Sequence, residues 1–130
     1  MDGLPTPTAR ELQILKVLWG QGPSSVRAVH TALIEEGEDG LAYNTVQTML
    51  RVMEAKQLVA HHTDGRTFIY SPHYSREESA ARFLDRVFDG AASELMLTLI
   101  RAERVPADEL DRMQALIAAA RGDRRNGGAA

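Results

Sequence analysis

The chain has no cysteine among its 130 residues. That excludes disulfides, thiolate metal sites and thiol nucleophiles, and it suits a reducing compartment. Aromatic residues make up only 5%, so the core must be built from Leu, Val, Ile, Met and Ala, and helix is favoured over sheet. No apolar run approaches the roughly 18 residues of a membrane span, and 1–22 lacks the basic start and unbroken apolar stretch of a secretion signal. The expectation is a soluble, cytoplasmic protein. Also missing is an excess of positive charge: 15 Lys and Arg face 18 Asp and Glu, a net of −3. A nucleic-acid binder usually carries a basic footprint, so any such affinity here must come from local placement. A chain of this length holds one or two small domains and no large catalytic one.

Neither half is basic, with 6 Lys/Arg against 8 Asp/Glu before Tyr74 and 9 against 10 from there on. Four acids cluster at Glu35, Glu36, Glu38 and Asp39, which leaves Leu41–Lys56 locally positive through Arg51 and Lys56 against Glu54. The spacing predicts a first helix capped by Thr6 or Thr8, with Leu12, Leu15, Leu18 and Trp19 on its apolar side, ending at Gly20-Gln21-Gly22-Pro23. A second helix starts at Ser24 or Ser25, buries Val26, Val29 and Leu33, and ends at Gly37. A third spans Tyr43–Gln57 with Val46, Met49, Leu50 and Met53 in one stripe. Leu58–His62 and Arg66–Ser71 then flank Thr63-Asp64-Gly65, an Asp-Gly hairpin signal, and Pro72 breaks the hairpin. Three helices and a hairpin make a winged helix-turn-helix.

Beyond it, Ser75 and Glu78 form a capping-box pattern for a fourth helix carrying Phe83, Leu84, Val87 and Phe88. The run Leu95, Met96, Leu97, Leu99 and Ile100 is apolar nearly all round, and one short chain cannot enclose it. A last helix opens near Pro106 with Leu110, Met113, Leu116 and Ile117 on one side and stops before Gly122. The fold class is thus mostly α with a small β-hairpin wing. Residues 1–74 form the winged domain, 75–121 a helical dimerisation domain, and 122–130 a disordered tail.

At 100° per residue, the third helix turns Asn44, Thr48, Arg51 and Ala55 away from its apolar stripe, flanked by Thr45 and Gln47. Asn and Gln can pair with adenine, Arg with guanine, and Thr with bases, phosphates or the thymine methyl. The N-terminus of that helix, at Tyr43, Asn44 and Thr45, offers amides and a positive dipole end to a phosphate. Arg66 sits at the wing tip, positioned for a neighbouring backbone. A polar helix face is more often simply solvated, and winged domains also dock proteins, so a protein-interaction module remains an alternative.

These residues carry a resemblance to the penicillinase-repressor family, the BlaI/MecI/CopY type, over about Leu4–Ile117. It rests on Leu4 and Thr6 with Glu11-Leu12-Gln13-Ile14-Leu15-Lys16-Val17-Leu18-Trp19, on Tyr43-Asn44-Thr45-Val46-Gln47-Thr48-Met49-Leu50, and on Lys56-Gln57-Leu58-Val59 leading to Arg66-Thr67-Phe68-Ile69-Tyr70-Ser71-Pro72. Phe83-Leu84-Asp85-Arg86-Val87-Phe88-Asp89-Gly90 and Asp108-Glu109-Leu110 extend it into the second half. The resemblance implies a dimeric repressor of palindromic operators, in control of a β-lactamase-type or cell-envelope stress response. It places dimerisation on Phe83, Leu84, Val87, Phe88, Leu95, Leu97, Leu99, Ile100, Leu110, Met113 and Ile117.

Two departures bear on how such a repressor is released. The copper-responsive branch binds Cu(I) through cysteines that this chain lacks. The antibiotic-responsive branch is cut at an Asn-Phe bond under a membrane-bound sensor protease, and the matching place here is Thr98-Leu99. A regulator released by a small ligand is therefore a second alternative. His61 and His62 should point to opposite sides of a strand and so make poor joint ligands. Neither a metal nor another cofactor is expected, and the Ser, His and Asp residues form no catalytic motif.

Overall fold

A computed structural model of the chain describes residues 6–127. The elements run α1 (Ala9–Gln21), β1 (Ser24–Ser25), α2 (Val26–Glu35), α3 (Tyr43–Ala55), β2 (Val59–Asp64), β3 (Thr67–Pro72), α4 (Arg76–Phe88), α5 (Ala92–Arg101) and α6 (Ala107–Gly127). Two compact units divide inside α4, between Arg82 and Phe83. The expected division at 74/75 falls earlier because the start of α4 belongs to the first unit. Trp19 Nε1 donates to the Tyr74 carbonyl at 2.8 Å, and the Arg82 guanidinium lies 3.9 Å from the centre of the Tyr74 ring.

Thr8 rather than Thr6 caps α1. Its hydroxyl accepts the Glu11 amide at 3.1 Å, and the Glu11 carboxylate accepts the Thr8 amide at 2.9 Å, so two otherwise orphaned donors are satisfied. The buried side of α1 is Glu11, Ile14, Leu15, Val17 and Leu18, while Leu12 is exposed. The i, i+3, i+4, i+7 stripe starts one residue before the expected one because a charged residue occupies its first position. Glu11 can be buried there since the Lys56 ammonium lies 2.8 Å away. Ser25 caps α2 by accepting the Ala28 amide at 3.1 Å, and Val26, Val29 and Leu33 are buried as the spacing predicts.

Helix α3 buries Val46, Leu50 and Met53 and half-buries Met49. It ends at Ala55, short of Gln57, because Gln57 turns to a left-handed φ of 66°. The Leu58 amide then reaches the Met53 carbonyl and the Gln57 amide the Glu54 carbonyl, both at 2.9 Å. This is a Schellman closure with Gln in the place glycine normally takes.

The sheet has the order β1-β3-β2, antiparallel throughout. Strand β1 has no counterpart in the sequence reading, since two serines carry no alternation; it pairs Ser24 with Tyr70 and Ser25 with Ile69. The hairpin turn also sits later than expected. Asp64 is still in the ladder, opposite Thr67, and the two-residue turn is Gly65-Arg66, with Gly65 at φ +65°. Glycine at the first central position suits the twist of a hairpin. Pro72 belongs to β3 as its last residue, opposite Val59 and past the end of β1, where its missing N–H is tolerated. Val59 and Tyr70 join Ile14, Leu18, Val29, Leu33, Val46, Leu50 and Met53 in the core. Each such side chain contributes roughly 1.5–3 kcal/mol by burial.

At the start of α4, still within the first unit, the capping box forms as read: Glu78 accepts the Ser75 amide at 2.9 Å and its own amide donates to Ser75 Oγ at 3.0 Å. Neither α4 nor α5 has a buried residue. Helix α6 continues through Gly122 to Gly127, so 122–127, expected to be disordered, is helical. The preceding Ala118-Ala119-Ala120-Arg121 run offsets the roughly 1 kcal/mol cost of an internal glycine, and Arg124 and Arg125 favour the C-terminal end of the dipole. The rest of that tail, 128–130, and Leu4 at the start of the resemblance lie outside the described residues.

Candidate nucleic-acid interface

Burial of Val46, Leu50 and Met53 fixes the rotation of α3 and leaves Tyr43, Asn44, Thr45, Thr48, Arg51 and Ala55 exposed, with Gln47 half-buried at the margin. The polar side chains that can read base edges thus share one accessible face. Val52, 44% exposed, stands one turn after Thr48 and adds an apolar group that could meet a thymine methyl. Periodicity does not single it out, because an apolar residue at that position looks like core.

Ala42 stands at the N-cap of α3, and no side chain caps the helix there. The positive end of the helix dipole is therefore open to an anion. The Arg27 guanidinium lies 5.7 Å from the centre of the Tyr43 ring, which brings a cation from α2 to the same end. His30 meets that ring edge-on at 5.8 Å, and its Nε2 donates to the Leu41 carbonyl at 2.7 Å, holding the approach to α3. The sequence reading passes over Arg27, although it is the single Lys or Arg of α2 and points away from the Val26, Val29 and Leu33 stripe.

Local charge is rearranged by pairing. Lys56, counted as part of a positive stretch, is engaged by Glu11. Burial pushes the Glu11 carboxyl upward, but the Lys56 ammonium and the Thr8 amide and hydroxyl outweigh it and hold the group below its ordinary 4.5. Glu38 of the acidic turn accepts from Gln13 at 3.0 Å and lies 3.7 Å from Arg10, so part of that charge is tied to α1.

The wing places Arg66 in its turn, exposed. His61 faces α3, where Nδ1 lies 2.7 Å from both Glu54 carboxylate oxygens, and its ring stacks on Phe68 at 4.1 Å and 12°. Its neighbour His62 takes the opposite face by strand alternation. No group of three or more His, Asp or Glu that could hold a metal occurs among the described residues.

The residues assigned to dimerisation fall on three helices: Phe83, Leu84, Val87 and Phe88 on α4; Leu95, Leu97, Leu99 and Ile100 on α5; Leu110, Met113 and Ile117 on α6. Phe83, Val87, Leu97, Leu99, Ile100 and Ile117 are between 38% and 53% exposed. The Thr98-Leu99 bond lies inside α5, where the Thr98 hydroxyl donates to the Glu94 carbonyl at 2.8 Å. No helix among the described residues is long and apolar enough to cross a membrane.

Known proteins match the chain over nearly its whole length. The penicillinase repressor of Bacillus licheniformis is 24% identical over 121 residues, covering 90% of this chain and 93% of that protein. The transcriptional regulator BlaI of Mycobacterium tuberculosis is 34% identical over 128 residues, covering 92% and 91%. In fold, the chain resembles the crystal structure of the transcriptional regulator Tm0710 of Thermotoga maritima, at 13% identity and a TM-score of 0.50 over 95% of this chain and 80% of that one. The family model of the penicillinase repressors matches residues 7–119, through the winged unit and into α6, and with that extent the chain belongs to the penicillinase repressor family.

Proposed function

We propose that the chain is a DNA-binding transcriptional repressor that acts as a homodimer on a pseudo-palindromic operator. The observation that carries this reading is the single exposed face of α3, where Asn44, Thr45, Gln47, Thr48 and Arg51 stand together beyond an uncapped helix N-terminus. Placed in the major groove, those residues read base edges, and Arg27, Tyr43 and the α3 amides hold a phosphate. Arg66 touches the backbone from the wing. Few phosphates need be neutralised, so a net charge of −3 is compatible with binding.

Support for the dimer comes from helices α4 and α5, which bury nothing on their own. A second copy supplies the missing side of an apolar layer and sets two α3 helices into grooves roughly 34–36 Å apart. Each half-site is weak alone, so repression depends on the linked pair. The family's name points to a penicillinase-type gene as the target. Release by a sensor protease at Thr98-Leu99 requires α5 to open locally first, since the bond is helical.

Selection of genomic fragments by the purified protein, followed by titration against salt, tests the proposal. Palindromic fragments should be recovered, and the logarithm of affinity should fall with the logarithm of salt by about 0.9 per neutralised phosphate. Salt-insensitive binding without sequence preference would favour a protein-docking module instead.

A further inference from the structure

We propose that Glu54 and His61 form a strut that aims the wing tip, making both positioning residues for the Arg66 contact with DNA. The base of the wing is anchored: Val59 and Tyr70 are in the core, and β1 pairs only with Tyr70 and Ile69. From His62 to Phe68 the hairpin stands exposed, and a two-stranded hairpin is marginally stable by itself. The Glu54–His61 contact ties this part of the wing to α3, the helix whose outer face reads bases. His61 Nδ1 donates to the carboxylate at 2.7 Å, with both side chains about one-third exposed or less, at 28% and 33%.

The tie reaches the tip through one further contact. The His61 ring lies flat on Phe68 at 4.1 Å, and Phe68 sits in the cross-strand pair next to the last one before the Gly65-Arg66 turn. Glu54 on α3, His61 on β2 and Phe68 on β3 thus form one chain of contacts that ends two residues from Arg66. The same contact turns the Glu54 carboxylate toward the wing.

The inference rests on the reading that Arg66 neutralises a DNA phosphate, and a cycle of full-length variants on a selected palindromic fragment separates the two. R66A should lower the salt slope by about 0.9 for each half-site at which the wing no longer neutralises a phosphate. H61A and E54A, which leave Arg66 in place, should each lower it similarly and weaken binding several-fold. H61A/R66A should lose no more than R66A, the non-additivity expected of residues acting through one contact. E54Q, whose amide oxygen still accepts from Nδ1, should keep the parent slope. Additive losses in the double variant, or a parent slope in both H61A and E54A, would overturn the strut. So would tighter binding by both E54A and E54Q, which would make Glu54 only a repulsive charge. If R66A itself keeps the parent slope, the Arg66 contact fails and the strut has nothing to aim.

Discussion

At the scale of single side chains, the proposed recognition and the stability of the first unit can be tested separately. Arg51 is exposed on the outer face of α3; if that face reads bases as proposed, R51A should cost about 1–3 kcal/mol of operator affinity and relax preference at one base pair, as removing a bidentate guanine pairing does. Binding-site profiles of the two proteins measure this, and an unchanged profile would remove Arg51 from base reading. Glu11 is a residue of another kind, a buried carboxylate at 2.8 Å from the Lys56 ammonium. Because its folded pKa lies below the ordinary 4.5, its contribution is present above that pH and lost as pH falls through the folded value. K56M strands the charge and should destabilise the unit by about 1–2 kcal/mol at pH 7, a figure discounted for the partial exposure of Lys56. The loss should shrink at a pH below the folded pKa of Glu11, where the carboxyl takes up a proton and K56M no longer strands a charge. Urea midpoints at the two pH values check it, and an equal loss at both would point to packing alone.

Among the elements, α3 and the wing owe their relation to how the helix ends. Gln57 at φ 66° reverses the chain so that Leu58 and Val59 enter the core and β2 sets out toward the tip. A side chain in the left-handed region costs roughly 1–2 kcal/mol that glycine avoids. Q57G should therefore raise stability by about 0.5–1 kcal/mol after the added freedom of the unfolded chain is counted. Thermal unfolding reads this directly, and a lower midpoint would mean that the Gln57 side chain holds the turn in some other way. The turn at Gly65-Arg66 applies the same backbone logic to the wing, with glycine in the strained position and arginine left free to project.

For the whole molecule, the two units differ in burial. The first closes its own core around α1, α2, α3 and the sheet; α4, which crosses into the second, and α5 within it bury no residue. Apolar faces that one chain leaves open are what a self-complementary pairing covers. L97E should therefore weaken operator binding through loss of the proposed dimer, although Leu97 lies on α5, far along the chain from α3. Sedimentation and operator titration test this together: a monomeric L97E protein that bound the full operator as tightly as the parent would uncouple pairing from repression.

The amino-acid sequence alone determined the helices of the winged unit, the outer face of α3 and the over-apolar second half, because each is written in local periodicity, caps and turn residues. Periodicity could not reveal what depends on residues far apart in the chain. Glu11 looked like a surface residue until Lys56 met it across 45 positions. Strand β1 exists because β3 returns to it, and Arg27 joins the candidate site only when α2 packs beside Tyr43. The same holds for His61, which the sequence leaves on a strand and the tertiary structure places against Glu54. Local patterns set which elements form, whereas pairing between distant segments decided which polar side chains are buried, engaged or left facing outward.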